Sequence, residues 1–184
     1  MSGDAPAAHR GYAPASVGCA VLTVSDSRTT ADDSSGQALR AQLEAAGHRV
    51  VEHAIVPDER EAIQFAVLRA LARGDVDAVI ATGGTGVSPR DVTPEAIAPL
   101  VEKELAGFGE LFRMLSFQEI GPAALLSRAL AGTTAGKAVF VLPGSSGAVK
   151  LGMERLIVPE LAHLIGQLRR ADRAPSAHGE RHRK

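Results

Sequence analysis

Two carboxylates and two glycine-rich turns are the residues here whose types and spacing could do chemistry. Asp58 lies in Val56–Glu59 (VPDE) and Asp91 in Arg90–Glu95 (RDVTPE). Both are hard oxygen donors, and magnesium on a nucleotide is held by one or two carboxylates together with phosphate oxygens and water. Gly83-Gly84-Thr85-Gly86 and Pro143-Gly144-Ser145-Ser146-Gly147 each follow an apolar run. Such turns offer bare backbone that an anion can approach closely. Neither fits the P-loop pattern, because no Gly-Lys-Ser or Gly-Lys-Thr is present, and neither fits the spaced dinucleotide fingerprint. A glycine pair by itself reads as a tight turn; two such loops together with carboxylates read as a phosphate site. Asp58 keeps a second reading, since Asp58 and Glu61 fit an Asp-x-x-Glu capping box worth about 1 kcal/mol. Asp91 stands outside the helix cap that Thr93 would supply, which favours a cation ligand.

The remaining reactive side chains read as structural. Cys19 sits inside the apolar run Val17–Val24 and is expected to be a buried thiol. Ser34 and Ser35 lack a His and Asp arrangement that would activate them, so capping is the expectation. His48 and His53 have no Cys or second His at metal-ligand spacing and read as ordinary surface or core histidines.

Strands alternating with helices must position these loops. Val17–Val24 is apolar and β-branched, as a strand covered on both faces is. A helix capped by Ser34 or Ser35 follows, carrying Leu39 and Leu43 on one face, and Gly47 ends it. His48–Val56 reads as a second strand. The next helix, from Asp58, repeats Ile63, Val67, Leu68 and Leu71 at helical spacing and stops at Gly74. Asp77–Thr82 is a third strand running into the first glycine turn. Thr93-Pro94-Glu95 starts another helix, and Phe108–Phe117 and Ala123–Leu130 read as short helices. Lys137–Leu142 is the last strong strand, and a final helix is expected over Ala148–Leu168. This alternation predicts an α/β fold, a three-layer, mostly parallel sheet with helices on both faces and right-handed crossovers. Four loops, Ser25–Asp33, Pro57–Arg60, Gly83–Asp91 and Pro143–Gly147, would then open at one sheet edge, where ligands of such sheets bind.

The chain has 184 residues, 45% of them hydrophobic, which suits one domain. A chain this long buries roughly 70% of its unfolded surface and needs no disulfide or structural metal. We expect a flexible leader over 1–15, the domain over 16–169 and a disordered basic tail over 170–184. The start lacks the basic and unbroken apolar segments of a secretory signal, and no apolar run is long enough to span a membrane. With the lone cysteine, this points to the cytoplasm. A net charge of −1 and 3% aromatic residues argue against nucleic acid as a partner.

Taken in order and spacing, SDS (Ser25–Ser27), DDSSG (Asp32–Gly36), VPDE, TGGTG (Thr82–Gly86), RDVTPE, FGELFR (Phe108–Arg113), LSRA (Leu126–Ala129) and LPGS (Leu142–Ser145) resemble the MoaB/MogA proteins of molybdenum cofactor biosynthesis. The resemblance covers nearly all of Val17–Leu168, and MLSFQEIG (Met114–Gly121) is closer to the MoaB branch. It implies a molybdopterin-binding, MogA-like fold, a trimer or a hexamer of paired trimers, and hand-over of product to a molybdenum-insertion enzyme. It implies Mg2+ with ATP as co-substrate and molybdopterin as substrate, giving adenylylated molybdopterin and pyrophosphate. By motif, Asp58 and Asp91 would be the magnesium-associated carboxylates. Gly83, Gly84, Thr85 and Gly86 would contact nucleotide or pterin phosphate, with Ser25, Asp26, Ser127, Gly144 and Ser145 around the cleft. The absence of a nucleophile fits, since the attacking group would be the substrate's own phosphate. One departure is Val141, where many active relatives carry Asn before Leu-Pro-Gly, and the Ser145-Ser146 that follows. A non-catalytic molybdopterin-binding or carrier protein is the alternative, and a related domain serving another nucleotide substrate is a third reading. Phe108, Phe112 and Phe117 are candidate subunit contacts or, more simply, core.

Overall fold

The run Gly18–Val24 forms β1 in the computed structural model, which describes residues 13–171, and every residue of this strand is buried. Alternate side chains enter opposite faces: Cys19 and Val21 join one core, Ala20, Leu22 and Val24 the other. Parallel neighbours lie on both sides, β2 (Arg49–Val56) and β3 (Ala78–Thr82), and β3 pairs parallel with β6 (Lys137–Leu142). β5 (Leu130–Thr134) and the short β4 (Lys103–Glu104) extend the sheet antiparallel, in the order β2-β1-β3-β6-β5-β4. The expected mostly parallel α/β sheet therefore forms.

One face is covered by α1 (Ser34–Ala45), α4 (Ala106–Ile120), α5 (Ser146–Gly152) and α6 (Val158–Ala171), which contribute Leu39, Phe112, Val149 and Leu161 to its core. The other is covered by α2 (Arg60–Leu71) and α3 (Thr93–Ile97), which contribute Ile63, Val67 and Ile97. From β1 the chain moves outward to β2 and then returns past β1 to β3. That reversal separates the loops leaving β1 and β3 and opens a crevice at their carboxyl ends.

Several local expectations are corrected. Ala123–Leu130 is not a helix: a 3-10 turn over Gly121–Leu126 precedes β5, a strand the sequence reading missed. β5 and β6 are joined at Ala135-Gly136, both with positive φ (49° and 71°), as a two-residue hairpin turn requires. The cap of α1 is Asp33, whose carboxylate accepts from the Gly36 amide, not Ser34 or Ser35. Asp58 does not cap α2, which starts at Arg60 after Glu59. Thr93 is the first residue of α3 and not its cap, which is Val92. The final helix is interrupted by a π turn over Met153–Ile157; Pro159, just beyond it, has no N–H to give to the preceding turn. α6 continues to Ala171, past the expected helix end at Leu168. Residues 1–12 of the expected leader and 172–184 of the expected tail lie outside the described residues. Among the described residues, no helix is long and apolar enough to cross a membrane.

Candidate functional site

All four polar loops open at the carboxyl ends of β1, β2, β3 and β6, around a hollow of about 460 Å³. Its wall includes Ser25, Arg28, Asp58, the whole Gly83–Gly86 turn, Arg90, Asp91, Ser127 and Gly144. Asp58 and Asp91, far apart in sequence, thus face one cavity. The glycine turn is fixed from below: the Gly83 amide donates to the Leu142 carbonyl (3.1 Å), and the Thr82 hydroxyl to that of Pro143 (3.1 Å). The Thr93 amide donates to the Gly84 carbonyl (2.9 Å), so the start of α3 backs the turn. Gly83 and Gly84 have φ of 99° and 59°, the left-handed region that glycine alone enters at little cost. At Gly84 the requirement is also one of space, because a Cβ there would stand 2.5 Å from Asp58 Oδ1 and nearer still to Thr93 Oγ1.

The loops after β1 and β2 clasp each other. The Asp26 amide donates to Asp58 Oδ2 (3.1 Å) and the Asp58 amide to Asp26 Oδ1 (3.0 Å). Arg90, from the loop after β3, holds Asp26 Oδ2 with two nitrogens (3.1 and 2.5 Å). Arg28 comes from the β1 side and donates to Ser34 (3.3 Å) and Ser35 (3.0 Å). Its anchor is Asp33, fully buried, which accepts from Thr23 (2.7 Å), lies 2.8 Å from His53 Nε2 and faces Arg28 at 3.6 Å. Burial pushes the Asp33 carboxyl upward, but hydrogen bonds from Thr23, Gly36 and His53 outweigh it and leave the pKa below the usual value.

Electrostatics separate the two carboxylates. Asp58 is raised, first by burial and then by the negative charge of Asp26, with Asp91 adding to it. Asp91 is lowered, chiefly by hydrogen bonding from Ser88, and its Oδ2 accepts the Ser88 amide at 2.9 Å. Asp91 therefore also has a structural task, closing its own loop. The Thr93 hydroxyl, fully buried beside the cradle at Gly84 and Asp58 Oδ1, has no hydrogen-bond partner. A raised carboxylate on the wall of the hollow, a second carboxylate facing it and a glycine turn with no room for a Cβ beside them suit a small hard cation carrying phosphate oxygens, so the residues fit magnesium on a nucleotide. Among the described residues no three or more of His, Cys, Asp and Glu form a cluster able to hold a metal alone. A nucleotide-borne ion does not require one.

Most sequence-predicted residues meet here: Asp58, Asp91, Ser25, Gly83, Gly84, Thr85, Gly86, Ser127 and Gly144 all line the hollow. Asp26 lies at its edge through the clasp with Asp58. Ser145 does not line it; its hydroxyl caps α5 by accepting the Ala148 amide (3.2 Å). Val141 is fully buried in the core under α2 and α3. His48 is buried near the Val17 amide, whereas His53, read as ordinary, is part of the Asp33 anchor. The reading of single residues missed Arg28, Arg90 and Arg128. For Asp33 a signal existed, an Asp three residues before Gly36 at a helix start; Arg90 and Arg128 are identified only by partners distant in sequence.

A family model described as "Probable molybdopterin binding domain" matches residues 20–163. A Bacillus cereus protein named molybdenum cofactor biosynthesis protein B is 52% identical over 163 residues, 88% of this chain and 96% of its own. The protein of the same name from Bacillus subtilis is 53% identical over the same shares. A solved structure described as molybdenum cofactor biosynthesis protein B superposes with a TM-score of 0.84 at 53% identity, covering 86% of this chain and 99% of that one. The tungsten cofactor synthesizing protein MoaB from Pyrococcus furiosus gives 0.77 at 40% identity, over 85% of this chain and 99% of that one. A MogA chain gives 0.74 at 30%, over 82% and 99%.

Proposed function

Given that this chain belongs to the molybdopterin-binding MoaB/MogA family of molybdenum cofactor biosynthesis proteins, on its MoaB side, we propose that it adenylylates molybdopterin with Mg-ATP. The single observation that carries this reading is the convergence of Asp58, Asp91 and the Gly83–Gly86 turn on one hollow. In the reaction, an oxygen of the pterin's phosphate attacks the α-phosphorus of ATP, the bond to the β-phosphate oxygen breaks, and pyrophosphate leaves. Magnesium, when bound, would neutralise charge on the departing phosphates. This chain's part is to hold the groups in line and to supply charge: Asp58 and Asp91 toward the ion, Arg28 and Arg90 toward phosphate oxygens, and the glycine turn as a floor without side chains.

The test is pyrophosphate release by purified protein, with the expectation that it requires molybdopterin, ATP and magnesium together and is lost in Asp91→Ala. No release from the unaltered protein, with Asp91→Ala binding ATP equally well, would overturn the reading. A carrier that binds molybdopterin without turnover is the second reading. It is favoured by main-chain amides already occupying Asp58 and Asp91, and ATP-dependent turnover would remove it.

Self-association, trimeric or hexameric, is proposed on the same family footing. Phe108 and Phe112 are core, but Leu111, Met114, Phe117 and Ile120 are exposed at three-residue intervals along α4, and Leu125 and Leu126 follow. A soluble monomer rarely leaves such a patch uncovered. Light scattering should give the mass of a trimer or its double, and charged substitution of Phe117 should lower it.

A further inference from the structure

We propose that Arg128 is a positioning residue, a clamp that sets the spacing between the glycine turn and Asp91. The proposal rests on the nucleotide reading above for its effect on ATP, though not for the clamp itself. Arg128 lies on the connection between the Gly121–Leu126 turn and β5, and its guanidinium reaches back to both ends of one loop. Nε donates to the Thr85 carbonyl (3.0 Å) and one terminal nitrogen to the Asp91 carbonyl (2.8 Å), while the other pairs with Glu95 on α3.

Thr85–Asp91 includes Gly86 and four exposed residues, Val87, Ser88, Pro89 and Arg90, and besides Arg128 it is tied across the site by Arg90, which holds Asp26. One planar fork therefore holds together Thr85 within the glycine turn, the carboxylate residue proposed to face the ion and the helix that backs the turn. A guanidinium suits this task because its donors are fixed in a plane, which a lysine cannot reproduce. The anchor stays ionised as well: burial pushes Glu95 up, but the Arg128 hydrogen bond and charge outweigh it and leave the pKa below its usual value. Arg128 touches backbone carbonyls and Glu95 and does not line the hollow, so its influence on the chemistry passes through Asp91 and the turn.

The experiment compares Arg128→Gln, Arg128→Lys and Glu95→Gln in the full chain. Amide hydrogen exchange of the ligand-free protein is expected to speed up across 84–93 in both Arg128 variants, with the protection of β1, β3 and β6 unchanged, and to a lesser degree in Glu95→Gln. Magnesium-dependent ATP affinity, by calorimetry, is expected to fall about 10- to 100-fold, with lysine giving no rescue. Unaltered exchange over 84–93 overturns the clamp. So does a loss of protection spread over the whole sheet in all three variants, which would make Arg128 a brace of the fold. Should the unaltered protein bind no Mg-ATP, the functional reading fails, while the exchange result still decides on the clamp.

Discussion

Replacing Gly84 with alanine separates two costs that the structure keeps apart elsewhere. Gly47 and Gly84 both have positive φ, 82° and 59°, so alanine at either position pays the left-handed backbone penalty of about 1–2 kcal/mol. At Gly47 nothing lies within 4 Å of the added methyl, and the cost ends there. At Gly84 the methyl would stand 2.5 Å from Asp58 Oδ1 and press on the buried Thr93 hydroxyl, adding overpacking of about 1–3 kcal/mol. At about 3 °C per kcal/mol for a chain of this size, Gly47→Ala should lower Tm by about 4 °C and Gly84→Ala by about 10 °C. Calorimetry with Mg-ATP should show affinity intact in the first and lost in the second, because the methyl would push the Asp58 carboxylate out of place. If the two variants melt together, or Gly84→Ala binds Mg-ATP as the unaltered protein does, the cradle described here is not where the ligand sits.

Three further outcomes are expected. Asp58 is raised in the folded state by burial and by Asp26, so the folded protein binds its proton more readily than the unfolded chain. The penalty is present at neutral pH and lifts as pH falls through the raised pKa. Asp58→Asn should accordingly raise Tm at pH 7 without magnesium and flatten that part of the pH profile, while abolishing the stabilisation that Mg-ATP gives. Asp33 is the opposite case: its pKa is lowered, so its stabilisation is full above the usual carboxylate pKa and is lost as pH falls through the folded value. Asp33→Ala removes a cap and the partner of Thr23 and His53, at a cost of about 3 kcal/mol by urea unfolding at pH 7, and the difference from the unaltered protein should shrink in acid. Finally, burial first and the charge of Asp77 second push the Cys19 thiol up to about 12. Thiol reagents should label it only on unfolding, and rapid labelling of the native protein would contradict its placement in the core.

What could be read in advance follows a simple division. β1, β3 and β6 announce themselves because a strand buried on both faces has little choice of residue, and the loops at their ends follow from parallel pairing. β5 escapes because Leu-Ala-Gly-Thr-Thr is held in place by β6 and not by its own pattern, and Pro122 and Gly121 suggest helix ends as readily as a turn. Asp58 and Asp91 were recognised by type and position, yet their contrasting electrostatics depend on Asp26 and Ser88 in folded positions. Asp33 beside His53, and Arg128 across Thr85 and Asp91, are contacts between residues 20 to 43 positions apart. Neither periodicity nor capping rules reach so far.

The pairing of β3 with β6 joins Ala78 to Ala138 and Thr82 to Leu142 across the middle of the chain. Closing so large a loop is slow, because the entropy is lost before the contacts that reward it exist. The floor under Gly83 is the Leu142 carbonyl, so the hollow is incomplete until β6 has paired with β3. A chain whose halves have not yet met at that seam lacks the floor on which the glycine turn rests.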